Sequence, residues 1–210
     1  MNLIFPPAPS INCAICPRLA EFRAQNCLKF PTYHNAPVAS FGSFEATHLI
    51  VGLAPGLHGA NQTGRPFTND YAGDVLYPAL LKHGLAKGEY RKCADDGLEL
   101  HNVRITNAVR CVPPENKPIG AEIANCNQFL AAEIAAMTNL ERILVLGAIS
   151  HSATLKALRA KKSAYPFKHG AIYNIAGIKF FCSYHTSRYN ISTKVLTTAM
   201  FDEVIANFAV

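Results

Sequence analysis

The sequence predicts an α/β fold in which a mostly parallel sheet is covered by helices on both faces. Short apolar runs that stop at turn residues alternate along the chain with longer segments whose apolar residues recur every three or four positions. The first pattern is typical of buried strands and the second of amphipathic helices, and their alternation is typical of parallel sheets. With 210 residues, a single domain spanning 1–210 can bury a core without disulfides.

Each predicted element in the first half has its own signal. The run THLIVGLA at 47–54 predicts a buried strand because it is apolar and is followed directly by Pro55. After a polar loop, the apolar spacing of 72–83 predicts a helix, and Gly84 is a suitable residue to end it. The apolar segment 103–109 predicts the second strand of the sheet.

The second half continues the alternation, from helix to strand to helix, then a strand hairpin and a last helix. These elements are predicted at 119–138, 142–146, 147–159, 171–184 and 193–208. The turn of the hairpin is expected at Ala176-Gly177, because a glycine there permits the tight reversal.

Composition narrows the class of protein. Half of the residues are hydrophobic and 16% are charged, which excludes a disordered chain. No apolar run approaches the ~20 residues of a membrane helix, and Met1–Ser10 lacks the pattern of a signal peptide. We therefore expect a cytoplasmic protein, acting as a monomer and without a membrane partner. The net charge of +6 is compatible with a polyanion such as nucleic acid.

Three polar segments follow predicted strands. They are Gly52–Asp74, Asn107–Cys111 and Ser183–Asn190. Because parallel strands bring their carboxyl ends to one edge of the sheet, and ligands of such sheets bind there, this edge is predicted to carry the site.

The loop that follows the first strand, 52–67, is rich in glycine. Such a loop lets the backbone approach a ligand closely, and the alternative is that its glycines simply make turns. It lacks the endings of a P-loop and of a dinucleotide-binding loop, so we do not expect nucleoside triphosphate binding. Phe67 at its end offers a flat surface for stacking, unless it is an ordinary core residue.

Four of the seven cysteines fall into two pairs. Cys13 and Cys16 form a CxxC pair, whereas Cys111 and Cys126 are separated by a proline-rich turn and part of a helix. Four thiolates bind either zinc or a [4Fe–4S] cluster, but the wide second pair does not suit a compact zinc ribbon. Ordinary packing is the other interpretation, since free cysteine behaves as a small hydrophobe. We assign no role to the remaining cysteines, Cys27, Cys93 and Cys182.

Taken together, these segments resemble the uracil-DNA glycosylase superfamily, and specifically its family 5 iron–sulfur branch. The residues that carry the resemblance are CAICPRL at 13–19, GLAPGLHGANQTGRPFTND at 52–70, TNAVRCVPPENKP at 106–118, Cys126 and SYHTSRYN at 183–190. The resemblance covers nearly the whole chain. It implies a three-layer α/β/α fold around a four-stranded, mostly parallel sheet, and removal of uracil from single- or double-stranded DNA to leave an abasic site. Hypoxanthine and other damaged bases are further candidate substrates. It also implies a [4Fe–4S] cluster, held by Cys13, Cys16, Cys111 and Cys126.

The resemblance implies roles for individual residues as well. His185 matches the histidine that donates a hydrogen bond to uracil O2 and so stabilises the departing anion. Asn107 matches the residue that reads the polar edge of the flipped base, for which an amide supplies both a donor and an acceptor. Phe67 would stack on the base, and the backbone at Gly52 and Leu53 would line the pocket.

Two positions depart from related patterns. Thr186 stands where family 5 usually has proline, which leaves open how rigid that loop is. Ala54 stands where other branches carry a carboxylate, which is the family 5 pattern and leaves the activation of water to another group.

The carboxylates available for this task are Asp70 and Asp74, of which we favour Asp70 because it lies in the Phe-Thr-x-Asp segment. Either could instead cap the helix that starts near 72. Asn61 is a third candidate for positioning water. Arg188, after His185, is a candidate wedge that fills the space left by the flipped base, or else a phosphate contact.

Two other functions use the same features. A non-catalytic, metal-stabilised nucleic-acid-binding module would explain the charge and the cysteines, but not His185 and Asn107 at strand ends. A small-nucleotide enzyme such as a nucleoside hydrolase could use the same pocket. The sequence offers no sign of a lysine Schiff base, so strand cleavage is not expected.

Overall fold

The computed structural model describes residues 8–210, and a sheet forms the centre of this part of the chain. The strands described are β1 (His48–Gly52), β2 (Ala86–Lys87), β3 (Glu99–Leu100), β4 (Val103–Asn107), β5 (Arg142–Leu146), β6 (Ile172–Ile175) and β7 (Ile178–Ser183). The α-helices described are α1 (Pro17–Lys29), α2 (Ala60–Thr63), α3 (Tyr71–Lys82), α4 (Gly120–Ala136), α5 (Ala148–Ala157), α6 (Arg188–Ser192) and α7 (Thr198–Ala209). Short 3₁₀ turns occur at Pro114–Asn116 and Lys162–Ala164.

The central sheet has the strand order β4-β1-β5-β7-β6. The first four strands are parallel, and β6 pairs antiparallel with β7 at one edge. The predicted α/β class and mostly parallel sheet are therefore confirmed, but the expected number of four strands is wrong. The fifth strand arises because the predicted hairpin forms: Ala176 (φ 51°) and Gly177 (φ 89°) make a tight turn that returns the chain beside β7.

Helices cover both faces of the sheet. One apolar core joins α3 and α7 to one face, through residues such as Leu76 and Phe201 packed against Ile50. The other core joins α4 and α5 to the opposite face, where Leu130 packs with Leu49. Ile50 and Leu49 point to opposite faces because side chains alternate along a strand. The three-layer arrangement follows from these two cores.

Four of the predicted helices are present as α3, α4, α5 and α7, with ends that differ by a few residues. The last starts at Thr198 rather than near 193, because Thr197 Oγ1 accepts a hydrogen bond from Met200 N at 3.1 Å and caps it. Helix α1 was not predicted, because it buries only Leu19 and Asn26 and so shows little apolar periodicity. Among residues 8–210, no helix combines the length and the apolar character needed to cross a membrane.

A buried ionic cluster fixes the carboxyl end of β4 against α4. Glu133 of α4 accepts from Arg104 Nε at 2.6 Å, from Thr106 Oγ1 at 2.9 Å, and from Arg110. Burial alone would raise the pKa of Glu133, but the two guanidinium groups outweigh it and lower that pKa. Because Thr106 immediately precedes Asn107, the cluster holds the end of the strand from which Asn107 projects.

Candidate active site

The floor of the site is a close approach between the ends of β1 and β4. Gly52 pairs with Asn107 across the two parallel strands. A Cβ atom at Gly52 would lie 2.3 Å from Asn107 Oδ1 and 2.5 Å from Phe67 Cζ, so only glycine leaves room for both side chains. Asn107 is 3% exposed, and within residues 8–210 its side-chain amide has no hydrogen-bond partner. The amide is therefore free to bind a ligand.

Phe67 reaches the site through an unusual backbone conformation. Its φ is +54°, and the loop packs so tightly on α3 that a Cβ at Gly73 would lie 1.7 Å from the Phe67 carbonyl oxygen. The Phe67 ring lies 6.4 Å from the His185 ring, centroid to centroid, with 30° between the two planes. Phe67 is therefore buried, as a core residue would be, and its ring also faces the site, as a stacking surface would.

A buried ion pair that the sequence did not reveal holds this loop. Arg65 donates two hydrogen bonds of 2.8 Å to the carboxylate of Asp96, and a third of 2.8 Å to Thr68 Oγ1. The Arg65 and Asp96 side chains are 6% and 0% exposed. The Arg65 guanidinium, with two backbone N–H groups, holds the pKa of Asp96 well below its usual range. The pair fixes the turn from which Phe67 projects.

His185 follows β7, in a loop tied down by hydrogen bonds. The buried Thr186 donates its hydroxyl to the Ala72 carbonyl at 3.3 Å, and Asn190 Nδ2 donates to the His185 carbonyl at 2.8 Å. These bonds restrain the loop at Thr186, the position at which the sequence left the rigidity of the loop open. Burial lowers the pKa of His185, so its imidazole is neutral at neutral pH. Neither ring nitrogen has a hydrogen-bond partner in the described part of the chain.

These loops surround a pocket of about 370 Å³ at the carboxyl edge of the sheet. Seven of the residues named from the sequence line it: Leu53, Ala54, Phe67, Asp70, Asn107, His185 and Arg188. Sequence reasoning missed others, among them Pro55, Gly56, Ala60, Tyr71 and Asn116. The available signal for Asn116 was its place in the segment TNAVRCVPPENKP, because that segment carries the family resemblance.

Comparison with known proteins gives this pocket its context. Residues 39–209 match the uracil DNA glycosylase superfamily. The chain belongs to the uracil-DNA glycosylase superfamily. Two curated relatives named type-5 uracil-DNA glycosylase share 39% identity (Pyrobaculum aerophilum; 95% of this chain, 88% of the relative) and 41% identity (Thermus thermophilus; 92% and 90%). A relative from Pyrobaculum aerophilum named type-4 uracil-DNA glycosylase is 31% identical over 74% of each chain.

Membership of the type-5 branch of this superfamily confirms the resemblance seen in the sequence. The relatives carry the names of enzymes, so the comparisons do not favour a non-catalytic binding module. We therefore expect the catalytic groups of this superfamily member at the carboxyl edge of its sheet.

Of the candidate carboxylates in this glycosylase fold, only Asp70 lines the pocket. Its Oδ1 accepts a 2.8 Å hydrogen bond from Gly73 N and caps α3, as the alternative interpretation expected. A Cβ at Gly59 would lie 2.9 Å from Asp70 Oδ2, so the second oxygen is packed against the glycine-rich loop. Burial is the main cause that raises the pKa of Asp70. Asp70 can therefore cap α3 and line the pocket at the same time.

Two other candidates for handling water lie outside the pocket lining. Asp74 Oδ2 accepts from Lys92 Nζ at 2.8 Å, one helical turn beyond Asp70. Asn61 is buried, and its Nδ2 donates to Asn35 Oδ1 at 2.9 Å. The structure therefore does not bring either side chain to the pocket.

Arg188 forms part of the pocket wall. Its guanidinium carbon lies 5.3 Å from the centroid of the Tyr71 ring, in a cation–π contact. Tyr71 is the first residue of α3 and also lines the pocket. This contact directs the Arg188 side chain along the protein surface, not away from it.

The cysteines implied as cluster ligands in this branch occupy one region, between α1 and the segment after β4. Cys16 and Cys111 pack with the buried Cys126 in a small apolar cluster. Burial raises the pKa of Cys111 to about 12, and the neighbouring thiols of Cys126, Cys13 and Cys16 contribute in the same direction. Arg23 links two of these cysteines, because it contacts both the Cys13 carbonyl and the Cys111 sulfur.

Two side chains present N–H groups to these sulfurs. Arg23 Nη1 lies 3.9 Å from Cys111 Sγ while its Nη2 donates to the Cys13 carbonyl at 2.9 Å, and Asn125 Nδ2 lies 3.7 Å from Cys16 Sγ. Such donors favour thiolates. No three His, Cys, Asp or Glu side chains in residues 8–210 are arranged to hold a metal ion. The four cysteines are of the residue type that a four-thiolate group needs, but in this structure their side chains are not arranged as ligands.

Proposed function

We propose that this protein hydrolyses the N-glycosidic bond of uracil in DNA and leaves an abasic site without cutting the strand. The observation that carries the proposal is the convergence of three groups on one pocket. The Asn107 amide, the Phe67 ring and the His185 imidazole all face it, and neither polar group has another partner among the described residues. The names of the type-5 relatives support the same activity.

Breaking the bond between C1′ and N1 places positive charge on the sugar and negative charge on the departing uracil. An enzyme accelerates this step by stabilising those charges as they develop. His185 donates a hydrogen bond to O2 of the leaving base, and its low pKa means that the donor is a neutral imidazole. The electron pair of the broken bond thus remains on a base whose charge is partly held by His185.

Recognition of the base comes from the floor of the pocket. The Asn107 amide offers a donor and an acceptor to the polar edge of uracil, and Phe67 supplies a face on which the ring stacks. Leu53 and Ala54 line the side where larger residues would intrude, and Gly52 lies beneath the Asn107 and Phe67 side chains. Because Ala54 contributes no charge or bulk, we propose that hypoxanthine and related deaminated bases also fit.

Asp70 is the group that handles water. One of its oxygens caps α3, which leaves Oδ2 to orient a water molecule and accept its proton as the new bond to C1′ forms. The raised pKa of Asp70 makes it a better base than an ordinary aspartate. Its negative charge also stabilises the positive charge that develops on the sugar.

The four cysteines are proposed to hold a [4Fe–4S] cluster. When bound, the cluster would supply a structural link between Cys13 and Cys16 beside α1, and Cys111 and Cys126 at the other end. Cys111 lies four residues after Asn107, so the link would restrain the segment that carries the base-reading amide. An anaerobically purified sample is expected to be brown and to contain about four irons per chain; a colourless protein with one zinc would refute the assignment.

The partner is DNA, with the protein acting as a monomer in the cytoplasm. The positive net charge supports binding to the phosphate backbone, with an affinity that falls as salt rises. Arg188 at the pocket wall is the candidate contact to that backbone.

The activity is tested with a uracil-containing oligonucleotide, incubated with the protein and then treated with alkali to cleave abasic sites. His185→Ala is expected to lower the single-turnover rate by about 100-fold, since a charge-stabilising donor is typically worth 10²–10³-fold. Asp70→Asn should also lower the rate strongly while keeping the thermal midpoint, because asparagine caps a helix nearly as well. Intact strands with the unaltered protein would refute the proposal.

Two comparisons separate the neighbouring functions. Release of uracil from free deoxyuridine as fast as from DNA would indicate a nucleoside hydrolase. A panel with uracil, hypoxanthine and ethenocytosine opposite each normal base gives the range of bases removed.

A further inference from the structure

A tyrosine hydroxyl closes the loop that carries Phe67. Tyr90 lies between β2 and β3, 23 positions after Phe67 in the chain. Its hydroxyl donates a hydrogen bond to the Phe67 carbonyl at 3.3 Å and accepts one from Asn69 N at 3.2 Å. One side chain therefore bridges the backbone on both sides of Thr68.

The backbone that this hydroxyl bridges has an unfavourable conformation. Phe67 has a φ of +54° and Asn69 a φ of +64°, both in the left-handed region that residues with a Cβ atom rarely adopt. Asparagine tolerates this region more easily than phenylalanine does. Such a conformation persists only where the surrounding contacts impose it. The two hydrogen bonds of Tyr90 are contacts of this kind.

Tyr90 is itself held in place. Its ring packs on that of the buried Tyr77, with 4.6 Å between the centroids and 33° between the planes, and the Tyr77 hydroxyl donates to the Pro66 carbonyl at 2.6 Å. Helix α3 approaches so closely that a Cβ at Gly73 would lie 2.8 Å from the Tyr90 hydroxyl oxygen. Burial raises the pKa of Tyr90 to about 12, so the hydroxyl keeps its proton and remains a donor at neutral pH.

The place of the Phe67 ring decides how well a base can stack in the pocket. If the turn relaxed toward an ordinary backbone conformation, the ring would leave its position facing His185. A displacement of about 1 Å in a group that positions a substrate is enough to lower a rate roughly 100-fold. The Arg65–Asp96 pair restrains the residues before Phe67, whereas Tyr90 acts on Phe67 and on the residues after it.

We infer that Tyr90 is a positioning residue for base recognition, whose hydroxyl holds Phe67 in the conformation that presents its ring to the flipped base. Tyr90 acts through Phe67, since the pocket in the described part of the chain is lined by Phe67 and not by Tyr90. The inference rests on the proposed function for its substrate, and it gives the segment between β2 and β3 a part in recognising the base.

The test removes the hydroxyl and keeps the ring. Tyr90→Phe is expected to slow single-turnover excision of uracil about tenfold, and to raise the concentration of free uracil that halves the rate by a similar factor. Affinity for a duplex with a stable abasic analogue should change less than about twofold, because phosphate contacts dominate it and no base reaches Phe67. The control is Tyr173→Phe, which removes a hydroxyl bonded to the Pro166 carbonyl on β6 and should change none of the three.

A double substitution tests whether Tyr90 acts through Phe67. Phe67→Leu keeps an apolar side chain without the flat face, and adding Tyr90→Phe to it should slow excision by less than about threefold, because residues that act as a unit have non-additive effects. A loss of about tenfold in both backgrounds would overturn the inference, as would an unchanged rate in Tyr90→Phe. An equal loss of affinity for the abasic duplex would also overturn it, since the whole fold would then have loosened. Failure of the proposed function would look different, because the unaltered protein would release no uracil from DNA.

Discussion

Gly52→Ala offers the sharpest check of how the pocket is built. The new methyl group would lie 2.3 Å from Asn107 Oδ1 and 2.5 Å from Phe67 Cζ, whereas ordinary contacts to a Cβ lie at 3.4–4 Å. Both side chains would therefore have to withdraw by about 1 Å. Each contact involves the far end of a side chain, so the displacement falls on the groups proposed to hold the base, with less effect on the backbone.

A shift of ~1 Å in groups that position a substrate lowers rates by about 100-fold, which is the expected loss in single-turnover excision of uracil. Overpacking of this kind also destabilises by about 1–3 kcal/mol, and for a chain of this size each kcal/mol lowers the Tm by roughly 2–4 °C. The variant should therefore remain folded at the assay temperature and show its defect mainly in activity.

The assay is alkaline cleavage of abasic sites in a labelled oligonucleotide, with Tm followed by circular dichroism. The matched control is Gly120→Ala at the start of α4, where an added Cβ meets nothing within 4 Å. Activity of Gly52→Ala within about threefold of the unaltered protein, at unchanged Tm, would refute this account of the pocket floor.

Three further outcomes are expected. Asp96→Asn breaks the buried pair with Arg65 and should lower the free energy of unfolding by about 3 kcal/mol in urea titrations. The control is Glu99→Gln, in an exposed pair with Lys87, which should change that free energy by less than ~1 kcal/mol. Equal effects of the two substitutions would contradict the argument that burial makes the Arg65–Asp96 pair the more important one. Burial lowers the pKa of His151, so the unfolded chain binds a proton at this residue more readily than the folded protein does. The free energy of unfolding is therefore unaffected by this group above about pH 6.5 and decreases as the pH falls below that value. Urea titrations at pH 7.5 and 5.5 should show that loss, and His151→Phe should reduce it; an undiminished pH dependence would rule out this source. Thr186→Val removes the hydroxyl bonded to Ala72 and should slow excision with a loss of about 1 kcal/mol of stability, whereas Thr186→Ser should retain most of both; identical behaviour of the two variants would show that the hydroxyl is not needed.

The sequence was sufficient to place Asn107 and His185 at one edge, because both follow apolar runs and parallel strands end together. It could not reveal the Arg65–Asp96 pair, whose members are 31 positions apart with no local pattern linking them. Helix α1 was not predicted because its one buried leucine gives no periodic pattern of apolar residues. The fifth strand was missed although its hairpin turn was located, since the four-strand count came from the family resemblance and not from the residues.

The first turn of α3 joins parts of the chain that are far apart in sequence. Gly73 abuts the Phe67 carbonyl, Asp70 caps the helix, and Ala72 receives the hydroxyl of Thr186 from the His185 loop. This one helical turn therefore positions the Phe67 ring, the Asp70 carboxylate and the His185 imidazole. Anyone transplanting these loops into another scaffold, or recombining them between relatives, would need to move this helical turn with them, because it sets their common alignment.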